Sequence, residues 1–324
     1  MSDILLPEWA PHDAVWIGFP SDPGLWEDDL APAQAEVTAF AAAVHADGGG
    51  EMVWLVAADE TAAAEARRLA PFATVITEPF GDVWLRDTGA IVVGTGATRR
   101  AQGFGFNGWG GKYELKGDDS IGERLAASAK LPFAKADWIL EGGAIDGDGT
   151  GTFLTTEQCL LNPNRNPGFG RYEVEQRLAA YLGATRVVWL GDGLENDHTD
   201  GHVDNIARFV APGRVAIPEA VEDDPNAPAY ADAAEILLDA DLEVVAIPSP
   251  GLVERDGEMV PASYMNFYIG NASVVVPQHG ALNDAAAVEA LQDIFPDRRV
   301  VGLRADHLLT GGGSFHCMSQ QVPK

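Results

Sequence analysis

The chain has 324 residues, 46% hydrophobic and 22% charged, with 21 Lys and Arg against 49 Asp and Glu and a formal net charge of −28. That balance argues against binding nucleic-acid phosphates, which needs a basic face, and would concentrate a small cationic substrate near the surface; solvated Asp-rich faces account for most of the charge. The length fits two domains or one large symmetric one with ample core.

Two cysteines, Cys159 and Cys317, give no disulfide framework. Met1-Ser2-Asp3 begins no signal peptide, and no apolar run approaches the roughly 18 residues of a membrane helix. The expectation is a soluble cytoplasmic protein with free thiols and no membrane or nucleic-acid partner. The sequence leaves a homo-oligomer open.

Residues 1–11 show no periodicity and read as an arm. The apolar run 14–19, closed by Pro20, predicts a buried strand; 29–46 predicts an Ala-rich helix and 51–56 a strand. From there a unit recurs: a helix, a strand of branched residues, then a polar or glycine turn. The pairs are 60–69 with 74–77, 120–130 with 137–140, 172–182 with 186–190, 229–238 with 243–247, and 284–294 with 299–303. A spacing of roughly 55 to 60 residues suits a repeated supersecondary unit. Short strands are expected at 90–93, 151–156, 159–162, 206–210, 214–218, 267–270 and 273–277. The chain ends inside the fifth copy, so its missing strands are expected from the N-terminal region around Trp16 and Val53. The fold expected is one closed α/β assembly over residues 1–324, with five ββαβ units about an axis and equivalent turns converging at one end. Two open α/β halves fit the alternation but leave five copies unexplained. The Gly-, Asp- and Pro-rich stretches 103–119, 162–171 and 248–262 read as mouth loops.

The turns after the helix–strand pairs carry Asp87, Glu141, His202, Asp204 and Cys317. Cys317 follows Gly311-Gly312-Gly313, where backbone freedom lets the chain come close to a ligand, so it is a candidate nucleophile; a small buried hydrophobe is the plainer alternative. Three carboxylates around one point repel one another until a cation enters. A guanidinium satisfies them best, because each can accept its forked N–H groups. The cation would also lower the thiol's pKa, and the imidazole could give a proton to departing ammonia and take one from water. Singly, each member has a simpler reading. Asp87 could pair with Arg86, Glu141 could be a surface carboxylate at a strand end, and His202 could be a satisfied core histidine. Asp204 shares a strand face with His202, which suits a structural pair as well. His198 and His202 have the spacing of a helical zinc site, but Gly201 and the β-like run after it argue against a helix. Cys159 reads as core.

Longer motifs run through nearly the whole chain in order. They include Asp82-Val83-Trp84-Leu85-Arg86-Asp87-Thr88-Gly89, Phe106-Asn107-Gly108-Trp109-Gly110-Gly111, Glu141-Gly142-Gly143, and Cys159-Leu160-Leu161-Asn162-Pro163-Asn164-Arg165-Asn166-Pro167. Further on come Thr199-Asp200-Gly201-His202-Val203-Asp204-Asn205, Tyr264-Met265-Asn266, and Gly313-Ser314-Phe315-His316-Cys317. With these the chain resembles the agmatine deiminases of the Porphyromonas-type peptidylarginine deiminase family, within the guanidino-group-modifying superfamily. The resemblance implies a pentein-like five-bladed α/β propeller. It makes Cys317 the nucleophile of a covalent amidino intermediate and His202 the general acid and base. It makes Asp87 and Asp204 the guanidinium clamp, and Glu141 a holder of substrate and His202. The reaction implied is agmatine plus water giving N-carbamoylputrescine and ammonia, a step toward putrescine, with no cofactor or metal. Trp84 and Trp109 are candidates for stacking along the substrate tail, with rim or core packing as the alternative, and Gly313 is a candidate backbone contact. Arg86 and Arg165 could instead receive an arginine carboxylate, although Arg86 is expected to face a structural one. Three features depart from the family pattern: a short stretch between Asp204 and Tyr264, Met318-Ser319, and an extra basic group at His198. Deimination of another guanidine, such as free or peptidyl arginine, is the nearest alternative. A non-catalytic binding propeller would be expected to lack the five-residue set.

Overall fold

The computed structural model describes residues 4–255 and 257–324; the start of the arm, residues 1–3, and position 256 within the 248–262 loop lie outside them. Strands β1 (His12–Phe19), β2 (Met52–Ala57) and β3 (Thr74–Thr77) run parallel, joined by the helices Leu30–His45 and Glu60–Leu69. Next, β4 (Ile91–Val93) pairs antiparallel with β5 (Arg100–Gly105), which crosses through the helix Ile121–Ser128 to a parallel β6 (Phe133–Ile139). The order recurs in β7 (Ile145–Gly147), β8 (Thr152–Thr156) and β9 (Arg186–Leu190), with the helix Arg171–Leu182. It recurs again in β10 (Arg208–Ala211), β11 (Arg214–Glu219) and β12 (Glu243–Pro248), with the helix Ala227–Asp239. A small hairpin, β13 (Glu254–Arg255) and β14 (Glu258–Met259), intervenes. The last copy is β15 (Tyr268–Ile269), β16 (Ser273–Gln278) and β17 (Arg299–Arg304), with the helix Asp284–Ile294. Finally β18 (Ser319–Pro323) returns to pair antiparallel with β1, placing Gln320 opposite Trp16. These are five separate mixed sheets, and none closes on itself among the described residues.

The N-terminal strands thus complete the copy the chain ends in, and Val53 lies beside Val15 in that sheet. The phase of the repeat differs from the sequence reading. The helix equivalent to the other four crossovers is Leu30–His45; Glu60–Leu69 with Thr74–Thr77 is an additional helix and strand on that sheet's edge. Both helices are Ala-rich, so spacing alone could not separate them. Two further elements were misread. The run 159–162 is not a strand: Glu157–Leu160 is a single helical turn whose Cys159 N–H is capped by Thr156 Oγ1 at 3.3 Å. Strand β5 extends into a segment that reads as loop. Its Gly103 is required because the Phe133 ring occupies the place of a Cβ, 2.5 Å away.

Helices cover the sheets, so several strands are near-continuous apolar runs. Trp16, Ile17, Leu55, Val56, Val274 and Val276 are all fully buried. The consequence for function is positional. Each connection from one mixed sheet to the next carries one of the turns singled out in the sequence: β3 to β4 has Asp87, β6 to β7 Glu141, β9 to β10 His202 and Asp204, β12 to β15 Asn266, and β17 to β18 Cys317. Among the described residues, no helix is long and apolar enough to cross a membrane.

Candidate active site

Asp87 sits on the single helical turn Leu85–Thr88, which is tied directly to the Cys317 turn: Arg86 N–H donates to Cys317 C=O at 2.9 Å. The Gly143 N–H donates to Asp87 Oδ1 at 3.0 Å. A Cβ on Gly143 would lie 2.6 Å from His202 Nδ1, 3.0 Å from Asp87 Oδ1 and 3.1 Å from Asp204 Oδ2, so three side chains from two other connections converge on one glycine. Cys317 Sγ is 3.6 Å from Asp204 Oδ2 and accepts from Asn266 Nδ2 at 3.0 Å. Asn266 Oδ1 accepts from the backbone N–H groups of His316 and Cys317, at 3.1 and 3.2 Å. Glu141 Oε1 accepts from Arg165 Nε at 2.8 Å. All five predicted residues are therefore brought together, and Asn266 joins them as the group that fixes the thiol. The turn was visible in the sequence; the bonds to residues 50 positions away were not.

His202 and Asp204 do not share a strand face as expected. Val203–Asn205 is a 3-10 turn and the strand begins only at Arg208, so the two side chains are aimed separately. His198 is no partner of His202 either: it is exposed, stacked on Tyr113, with Nδ1 2.7 Å from the Tyr113 hydroxyl.

Glu141 Oε2, both ring nitrogens of His202 and Asp204 Oδ1 are buried with no hydrogen-bond partner. Buried polar atoms are normally paired, so a cluster of unpaired ones marks a place where a polar ligand belongs. Burial opposes charge on His202, but the carboxylates of Asp87 and Glu141 and the neighbouring Cys159 thiol outweigh it and hold the ring's pKa well above its ordinary value. Burial, with Asp204 and Asp87 beside it, pushes the Cys317 thiol well up. Asp204 is held below the usual carboxylate range despite burial, by its hydrogen bond and charge pairing with His316. The site therefore favours the neutral thiol of Cys317 and the protonated ring of His202 beside carboxylate oxygens that have no donor. An entering cation with several N–H groups would reverse the bias against thiolate.

Cys317 and Asp87 open into a pocket of about 200 Å³ whose other lining residues include Trp26, Asp82, Trp84, Trp109, Tyr113 and Gly313. Trp84 packs its ring over Gly311 and Gly313 and donates its indole N–H to Asp82 at 2.8 Å. Trp109 donates its own to Asp87 Oδ2 at 2.9 Å. It does so from a left-handed backbone, φ 53°, a conformation bulky residues rarely adopt outside functional turns. Neither arginine faces the pocket as a carboxylate receptor. Arg165 is buried on Glu141, Asp200 and the Thr199 carbonyl; Arg86 faces Glu8, as its structural reading expected. Glu141, Cys159 and His202 offer ligand atoms within 4.8 Å of one another, but the Arg165 guanidinium already neutralises Glu141, which disfavours a metal cation there.

The family model described as Porphyromonas-type peptidyl-arginine deiminase matches residues 4–323. A relative from Marinomonas sp. (strain MWYL1), provisionally classed as an agmatine deiminase, is 38% identical over 352 residues, covering 98% of this chain and 93% of its own. The solved agmatine deiminase of Enterococcus faecalis superposes with a TM-score of 0.94 at 34% identity, covering 100% of this chain and 96% of its own. A cysteine-to-serine variant of C. jejuni agmatine deiminase with substrate bound gives 0.91 at 27%, covering 100% and 97%. With the sheets, the turns and the converging side chains in the same order as its motifs, this chain belongs to the Porphyromonas-type peptidyl-arginine deiminase family.

Proposed function

We propose that the protein is an agmatine deiminase, hydrolysing agmatine to N-carbamoylputrescine and ammonia. The observation that carries this is the group of unpartnered acceptors around Cys317, opening into a pocket that has Asp82 but neither Arg nor Lys among its lining residues. A guanidinium fits the acceptors. A substrate with a second, terminal cation suits the remaining carboxylate, whereas the α-carboxylate of arginine would meet no guanidinium or ammonium group there. Asp87 and Asp204 hold the guanidinium nitrogens and Glu141 the side facing His202. As the cation binds, the Cys317 thiol gives up its proton to solvent, and the thiolate so stabilised bonds to the guanidinium carbon. The carbon–nitrogen bond to one terminal nitrogen then breaks, and His202 supplies the proton with which it leaves as ammonia. Water attacks the resulting thiouronium carbon and loses a proton to the now neutral His202. Collapse to the carbonyl releases the second hydroxyl proton and expels the thiolate. No cofactor enters this sequence. Trp84 walls the substrate tail, and the backbone at Gly313 lies against it.

The repeated order of the five sheets, with β18 completing the sheet of β1, supports a five-bladed α/β propeller of pentein type as the full architecture. Two free cysteines, Cys159 and Cys317, suit a reducing cytoplasm. The test is ammonia release from agmatine, free arginine and a C-terminal arginyl peptide, with Cys317→Ser alongside. Release from agmatine alone, lost in the variant while agmatine still binds it, is expected. Release from arginine or the peptide instead would overturn the substrate and keep the chemistry.

A further inference from the structure

The residues 4–11, which show no periodicity, run beneath the site rather than away from it. Leu5 bridges to Val93, and its N–H donates to the Leu182 carbonyl at 2.9 Å; the Trp9 carbonyl accepts from Arg298 Nη2 at 2.8 Å. Between these anchors Glu8 is buried among groups from four other segments. Its Oε2 lies 3.1 Å from Arg86 Nη2 and 2.8 Å from His316 Nε2; its Oε1 lies 3.1 Å from Arg208 Nη2 and accepts from the Ile269 N–H at 2.7 Å. On its far side, the His316 ring places Nδ1 2.7 Å from Asp204 Oδ2. A single imidazole thus joins Glu8 to Asp204, whose other oxygen is unpartnered in the site. Burial works against charge on Glu8, but Arg208, His316 and Arg86 hold its carboxyl well below the usual range, and Asp204 is lowered too. The ring faces a carboxylate oxygen through each of its nitrogens, and hydrogen bonds to both need an N–H group on each.

We propose that Glu8 is a positioning residue for the reaction: through His316 it keeps Asp204 ionised and turned so that its free oxygen meets the guanidinium. Without His316, the buried Asp204 would be left with the longer Asn266 amide contact at 3.3 Å and the charges of His202 and Arg208 to offset its burial. This proposal rests on the reading of the site as a guanidinium site, yet its first test needs no substrate. In ¹⁵N spectra assigned with a His316→Asn control, both ring nitrogens of His316 are expected to give protonated-type signals at pH 7, and one of them to lose that character in Glu8→Gln. A neutral ring in the unmodified protein overturns the proposal whatever the substrate proves to be. The second test separates positioning from folding. Glu8→Gln is expected to raise KM for agmatine roughly 10- to 100-fold, the scale on which supporting contacts act, with a smaller change in kcat. Agmatine binding to Cys317→Ser should weaken by a similar factor when Glu8→Gln is added. A variant whose KM is unchanged while kcat falls in step with its folded fraction would make Glu8 a structural residue only. Should Glu8→Gln not fold, His316→Asn, which can still donate to Asp204, carries the same expectation of raised KM, and an unchanged KM there overturns it.

Discussion

Gly143 is the residue on which the site turns, because it stands where a side chain would have to be. A methyl there would sit 2.6 Å from His202 Nδ1 and within 3.1 Å of oxygens of Asp87 and Asp204, all buried and unable to retreat. Its φ is not in the left-handed region, so the requirement is space alone. Gly143→Ala is therefore expected to leave the fold intact, by circular dichroism, and to lower kcat/KM for agmatine about a hundredfold or more, since displacements of about 1 Å cost that much in an aligned site. Activity within a factor of two of the parent would show that the three side chains do not converge on substrate. The residues with chemistry of their own were legible in the sequence, since a thiol, an imidazole and three carboxylates on glycine-rich turns are rare company. The supporting residues were not. Trp109 reads as a stacking aromatic, yet its indole N–H fixes Asp87. Glu8 lies in a stretch with no pattern, and its partners are 78 to 308 positions away.

At the scale of elements, helices and strands were read well wherever periodicity was strong: Glu60–Leu69, Arg186–Leu190 and Asp284–Ile294 fall at the expected limits. Short strands next to glycine were lost, as at Ile145–Gly147, because pairing with Thr155 to Phe153 defines them and composition does not. The β3-to-β4 connection and the β5-to-β6 crossover also hold a pair of carboxylates that the sequence offered no reason to join. Asp118 Oδ1 accepts from the Gly81 N–H at 2.6 Å and the Asp82 N–H at 3.3 Å, while Asp82 accepts from the indoles of Trp26 and Trp84. Burial, with Asp22 nearby, pushes Asp82 up to about 6, and burial, with Asp82 and Asp119 beside it, pushes Asp118 up to about 7. An unfolded Asp titrates near 3.9, so the folded protein binds more protons between about pH 4 and pH 7. The stability they contribute is present when they are protonated and is lost as pH rises through that window. Asp118→Asn keeps an acceptor for both N–H groups and removes the titration. Its melting temperature should fall less than the parent's between pH 5 and pH 7.5; parallel slopes would refute the coupling of these two connections.

For the whole molecule, a missing pair of strands points to the N-terminal region around Trp16 and Val53 as the completion of the last copy, and the structure completes it there, with β18, a strand the sequence reading lacks, as the partner of β1. Charge is a weaker guide, because −28 could serve solubility, steering, or both. The two uses separate by experiment. Self-repulsion among surface carboxylates is screened by salt, with a screening length of about 10 Å at 0.1 M, so the melting temperature should rise with added NaCl whatever the charge is for. Steering acts on encounter alone. If the acidic surface gathers substrate, kcat/KM for agmatine should fall with NaCl while kcat holds, and the slope should be steeper for this dication than for a singly charged alkylguanidine. The carboxylates of Asp87, Asp204 and Glu141 are buried and shielded from salt, so under the proposed clamp they would contribute equally to both substrates and a difference between the slopes would isolate the long-range field. Equal, flat profiles would mean that the acidic faces look away from the pocket and that recognition is confined to the residues lining it.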